Sequence, residues 1–455
     1  MTQDPTATIA AHLSTCRFAD LPASARRATR RDVLDTLGAA LGGSAAPGIP
    51  EMLGLAREWG GRPEATALLT GLRLPAPQAA MLNAAMAHAL DFDDTLDDAG
   101  SIHPGASVLA AGLAVAERRG GVPGEEFLLA VTLGLDLSCR IASAATLDRG
   151  WHRTALMGIF GATATAGRLL GLDAGRMQHA LGIAYSQAAG NRQAILDAAL
   201  TKRLQAGQAA SSAVLAALLA ERGFTGAQEV FAGGHGFYPM YQPEGTDLAR
   251  LTAGLGVTWQ HERLSFKPYP CGRPLHAALD AALALRNRLG LDAAGAAAAQ
   301  VTITTGPAGY GDQFTPESPW RRPRQVVQAQ FSLPFLVAAA LVHGRVGIGE
   351  VAGVEDATVL ALAARIGGAI DPAAPKGWAR IALRRADGTE AAQETEAPLG
   401  SPDRPLTDAQ LAAKFRDCAA HAARPIAAEA MDRAIAAVGA LEQLPDVATL
   451  PRLFG

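Results

Sequence analysis

Aromatic residues make up only 5% of this 455-residue chain, and lysine is scarcer still: Lys202, Lys267, Lys376 and Lys414 are the four lysines in a Lys+Arg total of 40. Few aromatics beside 49% hydrophobic residues, much of it alanine, argue against a β-sandwich and for close-packed helices. Cysteine is also sparse. Cys16, Cys139, Cys271 and Cys418 are scattered without metal-ligand spacing, which excludes a disulfide scaffold and suits a reduced, cytoplasmic protein. A formal net charge of -3 gives no global field for nucleic acid or an anionic membrane. No apolar run reads as a membrane span, and MTQDPTATIA is not a basic region followed by an apolar core.

What is present is helical punctuation. Hydrophobic periodicity and Gly/Pro stops predict helices over 26–41, 78–90, 106–117, 125–144, 158–170, 176–189 and 205–221. The texture changes near residue 262. The segment 299–305 is β-branched and alternating, and 378–386 with 389–395 reads as a hairpin around Asp387-Gly388. Helices are expected at 274–289 and 332–343, and again at 407–422 and 426–441. The expected fold is therefore mainly α: a large helical domain (1–263), an inserted smaller α+β lid domain (264–396) and a C-terminal return to the helical domain (397–455).

The chemistry concentrates in His88-Ala-Leu-Asp-Phe-Asp-Asp-Thr95, followed by His103-Pro104-Gly105. This stretch carries two imidazoles and the carboxylates of Asp91, Asp93, Asp94, Asp97 and Asp98 between segments that read as buried helix. So many ionisable groups beside a core are costly unless paired or coordinating something, which marks a site for acid–base chemistry or a metal. A helical continuation would set Asp91, Asp94 and Thr95 on one face. His152, in Gly150-Trp-His-Arg-Thr154, is expected to point toward a helix N-terminus. Lys202 and Arg203 precede a small-residue helix and suit carboxylate binding. The stretch 265–276 (SFKPYPCGRPLH) carries Lys267, Arg273 and His276 on a proline-stiffened backbone, a rigid scaffold for a site. Cys271 reads as a small buried residue rather than a nucleophile. Lysine is singled out because, unlike arginine, it can lose its proton when desolvated. Gly233–Gly236 and Gly306–Gly309 lack the context of a phosphate loop, and no GxSxG elbow occurs.

Taken together, HALDFDDT (88–95), HPGASVLAA (103–111), GWHRTALMGIFGATATAGRLLGLD (150–173), ALGIAYSQAAG (180–190), the segment 202–226 and FKPYPCGRPLHAALDAA (266–282) resemble the MmgE/PrpD family. That family includes 2-methylcitrate dehydratase, cis-aconitate decarboxylase and iminodisuccinate epimerase. The resemblance implies a helical domain with a smaller α+β lid, a homodimer, no cofactor or metal, and a site between the domains. It places the catalytic residues at Asp91, Thr95, His103, His152, Lys202 and Lys267. Two departures stand out. Leu96 follows the DDT triplet where a histidine or aromatic is common, and Phe335 replaces a usual tyrosine, removing a hydroxyl acid.

The expected activity is a cofactor-independent lyase acting on a small di- or tricarboxylic acid. Lys202, Lys267 and Arg273 would bind carboxylates, with Asp94 and His276 as further substrate-binding residues. His103 or His152 would remove a proton next to a carboxylate, and the other histidine, or Asp91 with Thr95, would serve the leaving hydroxyl or return the proton. Dehydration comes first among the readings. Epimerisation comes second, and decarboxylation is the least favoured because of Phe335. Two rivals lie outside this class. Asp93-Asp94-Thr-Leu-Asp97 fits the DDxxD pattern of a magnesium-dependent prenyl-type synthase, and the departures would suit a family member that only binds.

Overall fold

A computed structural model describes residues 4–306, 311–375 and 377–454; Lys376 and residues 307–309 of the Gly306–Gly309 stretch lie outside the described residues. The chain is mainly helical with small sheets. Two hydrophobic cores organise it. The first draws on residues 9 to 266 and again on 406 to 454, and the second on residues 269 to 383.

The first core is a stack of alanine-rich helices that approach closely because glycine lies where they cross. Ala23–Gly43, Ala76–His88, Pro104–Arg119, Gly124–Ala144, Gly158–Leu169 and Thr201–Glu221 are its main members. A Cβ at Gly134 would stand 2.6 Å from the carbonyl of Gly161, so the helices 124–144 and 158–169 meet backbone to backbone. Gly207 does the same service for the site: a Cβ there would lie 2.5 Å from the carbonyl of Met81. This contact brings the start of the 201–221 helix against the end of the 76–88 helix. The 124–144 helix is long and apolar enough to cross a membrane, which the sequence reading did not anticipate, but 94% of its most apolar window is buried inside the protein.

In the second core a four-stranded sheet runs in the order Gly367–Ile370, Gln300–Thr305, Ala379–Arg384, Glu390–Thr395. The first pair is parallel and the other two antiparallel, so the expected strand and hairpin both form. Helix His276–Leu289 packs on the hairpin strands and on the helix Leu333–His343, apolar up to its terminal His343. Phe335 is fully buried in this core, so the missing hydroxyl at this position lies in hydrophobic packing. A short two-stranded ribbon, Ala65–Ala67 with Leu72–Leu74, had no counterpart in the sequence reading.

The structure corrects one local expectation. Residues 89–98 do not continue the helix. The helix stops at His88, and Asp91 takes a left-handed backbone with φ 52°. Residues 96–102 then close on themselves through a Leu96–Ile102 bridge around a short turn at Asp97–Ala99.

Candidate active site

The turn after His88 aims both the carboxylate and the carbonyl of Asp91 at two lysines from distant elements. Lys202, in the first turn of the 201–221 helix, donates to Asp91 Oδ1 at 2.7 Å. Lys267 donates to the Asp91 carbonyl at 2.8 Å and lies 3.4 Å from Oδ2. The register of Lys267 is set next door, where Thr95 and Ser265 exchange main-chain hydrogen bonds of 2.9 and 2.8 Å. All three charged side chains are buried. Burial alone would raise the Asp91 carboxyl, but the two ammonium groups outweigh it and hold it well below the usual carboxylate range. Two ammonium groups share this one carboxylate, and the excess positive charge is what an incoming carboxylate would meet.

Three imidazoles pack beside this pair. His88 Nδ1 lies 2.6 Å from Asp93 Oδ2, and its Nε2 lies 3.1 Å from His152 Nε2 and 3.0 Å from Lys202 Nζ. The ring centroids of His103 and His152 are each 5.1 Å from that of His88. His103 Nδ1 donates to the Asp94 carbonyl at 2.5 Å, which leaves its Nε2 unprotonated and 4.0 Å from Asp91 Oδ1. His152 Nδ1 faces Gln205 Oε1 at 3.1 Å rather than a helix N-terminus. Burial, with the neighbouring lysines, pushes all three rings well below the ordinary histidine range, so each stands as a neutral base. Thr95 Oγ1 is buried and has no hydrogen-bond partner among the described residues.

The structure thus brings Asp91, His103, His152, Lys202 and Lys267 together, with Thr95 joined to the Lys267 segment through its main chain. Three other expected residues lie elsewhere. Asp94 turns its carboxylate away, to accept from Gly105 N at 3.1 Å at the start of the 104–119 helix. Arg273 is held by Asp97, at 3.1 Å from each carboxylate oxygen, and by the Leu399 carbonyl at 2.9 Å. His276 is buried against Cys271 and Tyr269 in the second unit. In this structure each of the three, expected as a substrate-binding residue, is engaged by partners within the protein. Burial raises the Cys271 thiol far above its usual value, which makes it no nucleophile. The amides of Phe231, Ala232 and Gly233, beside the glycine-rich 233–236 stretch, are filled by the carboxylate of Asp4.

His88, Asp93, Gln205 and Lys414 were missed as individual site residues. Lys414 donates to the Phe92 carbonyl and to Asp35 Oδ1, both at 2.6 Å, and stands 4.1 Å over the Phe92 ring. Asp32 lies beside Asp94 beneath the same loop, both carboxylates against Gly105. Lys414 carried a signal, being one of four lysines; Asp32 and Gln205 carried none.

The DDxxD reading does not survive this geometry. Asp93 serves His88, Asp94 caps a helix and Asp97 holds Arg273, so the three do not converge on a cation. His88, Asp91 and Asp93 do offer donor atoms within 4.8 Å of one another. The Lys202 ammonium already contacts two of them, and a metal cation would have to displace it, so this donor set fits an ammonium better than a metal.

A buried cluster of neutral imidazoles and paired ammonium groups, on a helical scaffold joined to an α+β unit, defines a class of acid–base site. The MmgE/PrpD N-terminal domain matches residues 7–247 and the MmgE/PrpD C-terminal domain matches residues 269–440. The chain belongs to the MmgE/PrpD family. It is 28% identical to the cis-aconitate decarboxylase-like protein oryM of Aspergillus oryzae over 96% of this chain and 94% of that one. It is 27% identical to the cis-aconitate decarboxylase of Mus musculus over 94% of this chain and 88% of that one. The cis-aconitate decarboxylase of Aspergillus terreus is 32% identical over 48% of this chain and 47% of its own.

Proposed function

We propose that this chain is a cofactor-independent lyase acting on a small di- or tricarboxylic acid. One observation carries the reading: Lys202 and Lys267 converge from separate elements on Asp91, in a buried place lined by three neutral imidazoles. Ammonium groups there would hold substrate carboxylates and the negative charge that develops on the adjacent carbon. An imidazole would move the proton, His103 Nε2 being free to do so. The α+β unit, with boundaries near 264 and 396, serves as a lid, reaching the site loop through Gln330 Nε2, 3.3 Å from the Ala89 carbonyl.

Decarboxylation of an unsaturated tricarboxylate is the first reading. The C–CO2 bond breaks, its electron pair passes into the adjoining unsaturated carboxylate, and carbon takes up one proton. Relatives spanning nearly the whole chain bear decarboxylase names, and Phe335 lies in a hydrophobic core, which removes the ground for ranking this reading last. Dehydration is the second reading. It is favoured by the neutral imidazoles, which suit removal of a proton, and by the unpartnered Thr95 hydroxyl, which suits a leaving hydroxyl.

Purified protein in D2O, with cis-aconitate, citrate, 2-methylcitrate or iminodisuccinate, followed by proton NMR, tests both. Loss of CO2 with one deuteron incorporated identifies a decarboxylase, loss of water a dehydratase, and deuterium exchange without net change an epimerase. Silence across the panel, with and without chelator, would reject the reading in favour of a binding protein.

A further inference from the structure

His88 makes two contacts through one nitrogen. Its Nδ1, 2.6 Å from the Asp93 carboxylate, carries the ring hydrogen, so Nε2 offers a single lone pair. Two groups reach for that lone pair: Lys202 Nζ at 3.0 Å and His152 Nε2 at 3.1 Å. The orientation of His152 is fixed independently. Gln205 Nε2 donates to the Asn191 carbonyl at 3.1 Å while its Oε1 accepts from Asn191 N at 2.9 Å, so the oxygen, an acceptor only, faces His152 Nδ1. His152 therefore holds its hydrogen on Nδ1 and turns the lone pair of Nε2 toward His88. Two lone pairs facing at this distance repel; a proton on His152 Nε2 converts the repulsion into a hydrogen bond, provided Lys202 gives up the same acceptor.

We propose that His88 is a positioning residue that works as an exclusive acceptor: it binds Lys202 while His152 is neutral and His152 once that ring is protonated, so that proton uptake by His152 releases Lys202 from the imidazole toward the substrate carboxylate. This rests on the reading of the site as a proton-transferring centre. The charged and titratable groups facing the switch are Asp91, Asp93, Lys202, Lys267, Arg203 and His103. Asp91, 2.7 Å from Lys202, keeps the ammonium in place in both states. Lys202 need only exchange one of its hydrogen-bond acceptors, and no covalent bond other than N–H is made or broken.

Two variants separate exclusivity from simple packing. His88→Leu removes the acceptor. His88→Gln supplies an amide oxygen with two lone pairs, which can accept from Lys202 and His152 together. The first measurement needs no substrate: 15N NMR titration of His152 in the wild type and both variants. Protonation of His152 is expected at lower pH in His88→Leu than in the wild type, and at higher pH in His88→Gln than in His88→Leu. Equal titration in all three proteins, or a wild-type His152 that stays neutral down to acid unfolding, would overturn the proposal. With whichever substrate the panel identifies, His88→Leu should lose on the order of 100-fold in kcat with KM little changed, and His88→Gln, which can hold Lys202 and His152 together and so does not release the lysine, should stay low; full recovery of kcat in His88→Gln would overturn the exclusivity. If no substrate is found, the function reading fails but the titration still decides the switch.

Discussion

Lys267 is wholly buried with no other carboxylate at its ammonium than Asp91 among the described residues, and it also holds the Asp91 carbonyl. Its replacement by methionine keeps the stem but removes the second cation from Asp91, which keeps Lys202, and leaves the Asp91 carbonyl without its lysine donor. Lys267→Met should lower turnover on the order of 100-fold and destabilise the fold by about 1–3 kcal/mol, because the buried Asp91 carbonyl loses its donor while the carboxylate stays paired with Lys202. His103→Ala should lower turnover similarly with a smaller loss of stability. Urea unfolding beside steady-state kinetics reads both, and near-normal turnover in both variants would remove these residues from the chemistry. The histidine pKa values are lowered, so the base form persists on acidification, and the acid limb of kcat/KM should fall below pH 6.5. At this scale the sequence was readable where residue type is unusual. Lysine in an arginine-rich chain pointed to Lys202 and Lys267. Arg273 and His276 follow Lys267 along the chain but take partners of their own, because the backbone turns at Gly272 and starts a new helix at His276, whose ring still feels the charges of Lys267 and Asp91.

The element that matters most is the non-helical segment 89–103, and no periodicity announced it. Asp91 in a left-handed conformation and the Leu96–Ile102 closure are tertiary outcomes, fixed by Lys267 and Lys414 donating to successive carbonyls at Asp91 and Phe92. The long helices were legible because alanine and leucine periodicity is strong there, and their ends fell within a few residues. What the pattern did not show is why they sit so near one another. Gly207 is one answer. In Gly207→Ala the new methyl meets the Met81 carbonyl at 2.5 Å, so the 201–221 helix must move off the 76–88 helix, and with it Lys202 from His88. We expect a loss of about 1–3 kcal/mol, typical of overpacking, together with a fall in kcat larger than the change in substrate affinity. A variant as stable and as active as the wild type would show that this crossing does not set the Lys202–His88 distance.

Across the whole molecule, the C-terminal return to the first core does more than complete the packing. Lys414 on the helix Asp408–Ala420 reaches Asp35 on the 23–43 helix and Phe92 in the candidate-site loop, tying the N-terminal and C-terminal helices of the first core to that loop. Beside this tether lie Asp32 and Asp94, both fully buried, with their carboxylates side by side against Gly105. Burial and the nearby charges of Asp35 and Asp93 push both carboxyls up, Asp32 to about 8, and Asp32 raises Asp94 further, while Asp94 and Lys414 oppose the shift at Asp32. The sign of the pH effect follows. Between about pH 3.8, the ordinary aspartate value, and about 8 the folded protein holds a proton on Asp32 that the unfolded chain does not. Its stabilising contribution is therefore full below that window and is lost as the pH rises through it. Asp32→Asn keeps a donor for Asp94 but has nothing to ionise. Urea unfolding at pH 5.5 and pH 8.5 should show the wild type losing more stability on alkalinisation than Asp32→Asn does, with the variant the more stable of the two at the higher pH. Parallel pH dependence in the two proteins would mean that Asp32 ionises freely and that the candidate-site loop rests on the Lys414 tether alone.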